Sequence, residues 1–101
     1  MTLDINLVRN GNIAEVQLDG YIDANNAKDV DSILTEVVGK FDSVVLDMEK
    51  LKYVSSAGLR AFKHAYVELR RKGGTLSAKH VSKTVMEVFE VTGFTRLIEL
   101  I

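Results

Sequence analysis

The chain has 101 residues, 47% of them apolar, with 13 basic and 14 acidic residues and a formal net charge of −1. That suffices for one compact domain with a sizeable core, and the balanced, interspersed charge argues against nucleic acid or an anionic membrane as a partner. The absence of cysteine excludes a disulfide scaffold, a thiolate zinc site and a cysteine nucleophile, and fits a reducing compartment.

The first ten residues, "MTLDINLVRN", lack the apolar core flanked by basic residues of a signal peptide. No apolar run approaches the roughly 20 residues of a membrane span, so a soluble, cytoplasmic domain is expected. Leu3, Ile5 and Leu7 alternate with polar neighbours as in a half-buried strand. "NGN" at 10–12 is a hairpin turn signal, since Asn and Gly tolerate positive φ. A second strand follows, with Ala14, Val16 and Leu18 on one face and Glu15, Gln17 and Asp19 on the other; Gly20 breaks the pattern.

"DANNAKDVDSILTEVVGK" reads as a helix. Asp23, Asn25 and Asn26 are suitable N-caps. Ala27, Val30, Ile33, Leu34, Val37 and Val38 recur at helical spacing, and Gly39 suits the C′ position. "SVVLDM" is a continuous apolar run and predicts a central strand buried on both faces. Helical spacing returns over 57–72, with Leu59, Phe62, Tyr66 and Leu69 on one stripe and Ala65 beside it. Arg60, Lys63, Glu68, Arg70 and Arg71 lie off the stripe, and Gly73 and Gly74 close the helix. "TLSAKH" then predicts a short strand. A helix capped by Ser82 carries Val85, Val88 and Phe89 and ends at Gly93, and "RLIEL" makes a last strand. The order β-β-α-β-α-β-α-β predicts an α/β fold, a single domain over 1–101 with a mixed, mostly parallel sheet after the opening hairpin.

Two hydroxyls, Ser55 and Ser56, stand where the second helix begins, three and two residues before Gly58 respectively. One use is capping: a hydroxyl accepts a bond from a free amide of the first turn, and Gly58 permits close backbone approach. A second use starts from the same geometry. A helix N-terminus offers unpaired N–H groups and the positive end of the dipole, so a phosphoserine there adds roughly two negative charges without melting the helix. The two uses are compatible. A third, a serine hydrolase, needs a base within hydrogen-bond reach and an acid behind it. There is no Gly-x-Ser-x-Gly, and His64 lies eight residues beyond Ser56, roughly 12 Å along the axis. His80 sits at the end of another strand. No catalytic residue is expected.

The remaining clusters are weaker. Glu87 and Glu90 form an i, i+3 pair with no histidine beside them, which reads as a solvated face rather than a metal site. "RRK" at 70–72 complements the dipole at a helix C-terminus. Gly73 and Gly74 are not followed by Lys-Ser or Lys-Thr at phosphate-loop spacing. Neither a cofactor nor a metal is expected.

Three ordered segments resemble the STAS domains, and among them the bacterial anti-sigma factor antagonists. "LDGYIDANNAKDV" is similar to that family's second strand and the start of its first helix. "VVLDMEKLKYVSSAGLRAF" resembles the core motif, a strand ending in "LDL", a loop, then "D-S-S-G-L" or "S-S-A-G-L" opening a helix. "RRKGGTLSAKHVSKTVMEVFEVTGFTRLIEL" resembles the C-terminal half. The resemblance covers nearly the whole chain. It implies a binding module, not an enzyme. The unphosphorylated form binds an anti-sigma factor that is itself a serine kinase and so releases a sigma factor. Phosphorylation on one serine abolishes binding, and a PP2C-type phosphatase restores it.

Carried over by position, the acceptor two residues before the motif glycine is Ser56. Ser55 takes the place often held by aspartate and stands as the alternative acceptor; Ala57 takes that of a second serine. Asp23 matches an aspartate near the partner surface. That surface is therefore expected around Asp23, Tyr53, Ser55, Ser56, Gly58 and Arg60. The alternative implied by the same resemblance is a constitutive STAS interaction module of a stress-signalling or lipid-transport assembly, with no phospho-switch.

Overall fold

The computed structural model describes residues 2–101. Strands β1 (Leu3–Asn10) and β2 (Ile13–Ile22) form the opening hairpin. Then follow α1 (Ala27–Lys40), β3 (Ser43–Val54), α2 (Ser56–Arg71), β4 (Thr75–Lys79), α3 (Lys83–Thr92), a 3-10 turn (Phe94–Arg96) and β5 (Glu99–Leu100). The five strands lie in sequence order, β1-β2-β3-β4-β5. The β1–β2 pairing is antiparallel, and β2–β3, β3–β4 and β4–β5 are parallel. The α/β order expected from the sequence is the order observed, with β3 in the centre.

Strand order explains where the core sits. Each parallel crossover steps to the next strand in the same direction, and crossovers are right-handed, so all three helices fall on one face of the sheet. Ala14, Val16 and Leu18 of β2, Val44, Leu46 and Met48 of β3 and Leu76 and Ala78 of β4 are buried on that face. They meet Val30, Leu34, Val37 and Val38 of α1, Leu59, Phe62, Ala65 and Leu69 of α2, and Val85 and Phe89 of α3 in one cluster. Phe94 stands between helices, 6.3 Å from Phe62 and 5.0 Å edge-on from Phe89, ring centre to ring centre. Tyr66 packs against the core only in part.

The same geometry corrects the expectation that "SVVLDM" is buried on both faces. Ser43, Val45 and Asp47 face away from the helices and are only half-buried. A sheet wound in one direction has one bare face, and here it is polar. Lys79 Nζ lies 2.5 Å from Glu15 Oε1, Gln17 Nε2 donates to Glu15 Oε2 at 3.1 Å, and Asn6 Nδ2 donates to Gln17 Oε1 at 3.0 Å. His80 has φ 57°, left-handed backbone, and its Nδ1 is 3.0 Å from Asp47 Oδ1. The hydrogen bond from Lys79, reinforced by Gln17, holds the Glu15 carboxyl below its usual range, and Glu15 in turn raises Lys79. Burial pushes Asp47 up, but His80, the Glu49 amide and Lys79 outweigh it and leave that carboxyl lowered.

Three boundaries differ from the sequence reading. Gly20 does not end β2. It sits at an irregularity in the pairing with φ 121°, and a Cβ there would come within 2.2 Å of the Thr2 carbonyl oxygen, so the strand bends and continues. Gly39 is inside α1, which ends when Phe41 turns extended, its ring under the Arg9 guanidinium at 5.5 Å. "RLIEL" is mostly not strand: the chain after Gly93 tightens into the 3-10 turn that seats Phe94, leaving β5 two residues long.

Candidate partner-binding site

The candidate site lies at the carboxyl ends of β2 and β3. Ile22 and Val54 are register partners, and the Ser55 amide donates to the Ile22 carbonyl at 2.9 Å. That bond fastens the first residue after β3 to the last residue of β2. It brings the loop starting at Asp23 beside the start of α2.

Of the two serines, only Ser55 caps. Its backbone is extended (φ −82°, ψ 170°), and its Oγ accepts from the Gly58 amide at 3.2 Å, while its carbonyl accepts from Leu59. Ser56 is the first helical residue, exposed, and its hydroxyl makes no hydrogen bond among the described residues. Gly58 is buried beneath the first turn. A Cβ there would lie 2.6 Å from Ile22 Cγ2 and 2.8 Å from Val54 Cγ2, so glycine is needed for close approach and not for an unusual φ. Gly58 thus sets how near α2 comes to the two strand ends and offers no surface of its own.

Asp23 is half-buried and engaged by its own loop. Its Oδ1 accepts from the Asn25 amide at 2.9 Å and the Asn26 amide at 3.1 Å. Asn26 answers, its Oδ1 accepting from the Asp23 amide at 2.9 Å and its Nδ2 donating to the Tyr21 carbonyl at 2.8 Å. The expectation that one of Asp23, Asn25 and Asn26 caps α1 by its side chain is therefore corrected. Asn26 occupies the cap position, but its side chain bonds backward into the loop. Tyr53 is 44% exposed at the end of β3, and Arg60 is exposed one turn beyond Ser56.

Sequence reasoning missed the opposite wall. A groove of about 270 Å³ runs beside the first two turns of α2, lined by Ser56, Leu59, Arg60 and Lys63 and, from the C-terminal turn, Phe94 and Leu97. The α2 residues announce themselves by following Ser56 at helical spacing. Phe94 and Leu97 carry no such signal, because only the 3-10 turn brings them there. Neither histidine approaches Ser56 as a base: His64 Nδ1 pairs with Asp31 Oδ1 at 3.0 Å and His80 with Asp47. No group of three or more His, Cys, Asp or Glu among the described residues is arranged to hold a metal, and no helix among them is long and apolar enough to cross a membrane.

Comparison with known proteins agrees with this architecture. BtrV of Bordetella bronchiseptica, which carries the name anti-sigma factor antagonist, is 38% identical over 78 residues, 76% of this chain and 67% of that protein. The anti-sigma-B factor antagonist of Bacillus subtilis is 22% identical over 100 residues, 99% of this chain and 92% of the relative. The Bacillus cell fate determinant SpoIIAA, solved in its phosphorylated form, superposes with a TM-score of 0.75 at 16% identity over 99% of this chain and 91% of its own, which establishes the shared fold. The STAS domain family matches residues 4–101, and the chain belongs to it.

Proposed function

We propose that this chain is an anti-sigma factor antagonist, a non-enzymatic binding module, and that phosphorylation of Ser56 by its partner, an anti-sigma factor serine kinase, switches binding off. A PP2C-type phosphatase switches it back on. The work takes place in the cytoplasm. The observation that carries this reading is the division of labour at the start of α2. Ser55 satisfies the helix, and Ser56, next to it, is exposed and unbonded. A modification there meets a helix N-terminus that tolerates negative charge, so the fold survives it. The names of the relatives support the target class.

The partner surface comprises Tyr53, Ser56 and Arg60 directly, with Asp23, Ser55 and Gly58 holding the two loops in place. The test is incubation with ATP and the cognate kinase, followed by peptide mass mapping. Phosphate is expected on Ser56 in the parent and in Ser55→Ala, and none in Ser56→Ala. Ser56→Asp is expected to bind the kinase weakly while unfolding near the parent's midpoint. Phosphate on Ser55 with Ser56 untouched would sink the residue assignment, and a chain that is never phosphorylated but binds constitutively would leave a STAS interaction module without a switch.

A further inference from the structure

The basic residues of α2 divide into two groups. Those near its C-terminal end are engaged: Arg70 lies over the Tyr66 ring at 5.9 Å, Arg71 pairs with Glu68 at 3.2 Å, and Lys72, just past the helix, pairs with Asp42 at 3.3 Å. Arg60 and Lys63, in the first two turns, are exposed and pair with no carboxylate among the described residues. Both line the groove that Ser56 lines, and Arg60 also lines the neighbouring groove between α1 and α2.

We propose that Arg60 is the internal counter-ion for a phosphate on Ser56, so that phosphorylation removes from the partner the free guanidinium at the mouth of this groove. The proposal rests on Ser56 being the acceptor. Residues four apart share a helix face, and an acid placed N-terminal to a base is the favourable orientation. The planar guanidinium matches phosphate oxygens two at a time. Two further donors are at hand, since the Ser56 and Ala57 amides precede the first intrahelical bond and Ser55 caps only Gly58. The first turn of α2 holds no acidic residue and its cap is a neutral hydroxyl, while the two carboxylates facing it from neighbouring elements are engaged, Asp23 by the Asn25 and Asn26 amides and Asp31, which lines a groove with Arg60, by His64.

The charge count gives the consequence. Arg60 and Lys63 supply two positive charges, and a phosphoserine supplies roughly −1.5 to −2. Phosphorylation therefore cancels the positive rim of the groove rather than inverting it. The switch works by taking away an attraction, and the surface it silences is one that fits a partner carboxylate beside an apolar side chain.

The test needs no kinase. Phosphoserine is placed at position 56 during translation, and its second ionisation, ordinarily near pH 6, is followed by phosphorus NMR in the folded chain and in urea. A nearby cation favours the dianion and lowers that pKa. Arg60→Gln is expected to raise it by about 0.3 pH unit or more, Lys63→Gln by less, and 1 M salt is expected to shrink the difference as the Debye length falls to about 3 Å. A value unchanged by Arg60→Gln overturns the pair, even if the folded chain stays below its unfolded value, because the helix terminus alone then accounts for the shift. Failure here leaves Ser56 as the acceptor untouched, and failure of a kinase to modify Ser56 leaves this measurement untouched.

Discussion

Helices α2 and α3 begin with the same serine cap and differ in the residue that follows it. Ser55 and Ser82 both precede their helix in extended backbone, and each Oγ accepts from the third helical amide at 3.2 Å, Gly58 in one case and Val85 in the other. The next residue is Lys83 in α3 and Ser56 in α2. One serine is enough to start a helix, as α3 demonstrates. The second serine of α2 adds nothing to the cap, and its hydroxyl is left facing solvent beside two free cations. The third position differs too. Val85 is a core side chain, whereas Gly58 has no room for one, since α2 is pressed against Ile22 and Val54. The start of α3 is built to pack, and that of α2 to hold Ser56 at a fixed place on the surface.

Substitutions that break this contrast should rank by how deeply they reach. Phe62 is fully buried and shares the aromatic cluster with Phe94 and Phe89, so it supports both helices. Phe62→Ala is expected to cost about 3–5 kcal/mol in chemical denaturation; a loss under about 1 kcal/mol would contradict the packing. Gly58→Ala comes next. Its methyl would press on Ile22 and Val54, and overpacking of this kind costs roughly 1–3 kcal/mol. The same substitution at a true left-handed glycine would act through φ; here it is expected to act through displacement of α2, visible as shifted amide signals at Ser55 and Ser56.

The serines separate more finely. Ser55→Ala and Ser82→Ala are each expected to lose about 1 kcal/mol, as for other N-caps, while Ser56→Ala stays within about 0.5 kcal/mol of the parent. Equal losses at Ser55 and Ser56 in urea titrations would erase the distinction between them. The smallest effect belongs to the bare face. Glu15 and Asp47 have lowered folded pKa values, so their contribution is present above the ordinary carboxylate range and is lost as pH falls through the folded values. Lys79 is raised, so its contribution is present below the ordinary lysine range and lost as pH rises through its folded value. Between about pH 5 and 9 these groups leave stability flat, and Glu15→Gln is expected to soften both limbs of a thermal-midpoint profile, the acid limb through the lost carboxyl and the alkaline limb through the lost partner that raises Lys79.

Much of this was legible in the sequence, and the misses have physical causes. Periodicity located every α-helix because each buries one stripe, and in α2 Leu59, Phe62, Ala65 and Leu69 are buried as their spacing implies, while Tyr66 is only half-buried and Ala61 is buried in addition. Continuous apolar character misled at "SVVLDM", since whether a strand has one covered face or two depends on where the crossovers go, which residues 43–48 do not encode. Glycine misled twice: Gly20 and Gly39 break patterns on paper, yet the strand bends and continues through Gly20 and the helix runs through Gly39 to Lys40. At the site, Ser56 stands out as a hydroxyl at a helix start and through the resemblance, two residues before Gly58, and helical spacing then places Arg60 one turn on. Asp23 reads as a candidate helix cap, but its side chain bonds within its own loop to the Asn25 and Asn26 amides, a matter of side-chain direction that the sequence does not encode. Phe94 and Leu97 reach the groove from the far end of the chain, so no local pattern could place them beside Ser56.

The most direct measurement is calorimetric titration of the anti-sigma factor kinase with this chain, unmodified and homogeneously phosphorylated on Ser56, with thermal unfolding recorded on both. The expected result is saturable binding by the unmodified chain, loss of affinity by tenfold or more on phosphorylation, equivalent to at least about 1.4 kcal/mol, and closely similar unfolding midpoints. Undiminished binding by the phosphorylated chain, or loss of binding accompanied by loss of the fold, would contradict a switch that acts at the surface of α2.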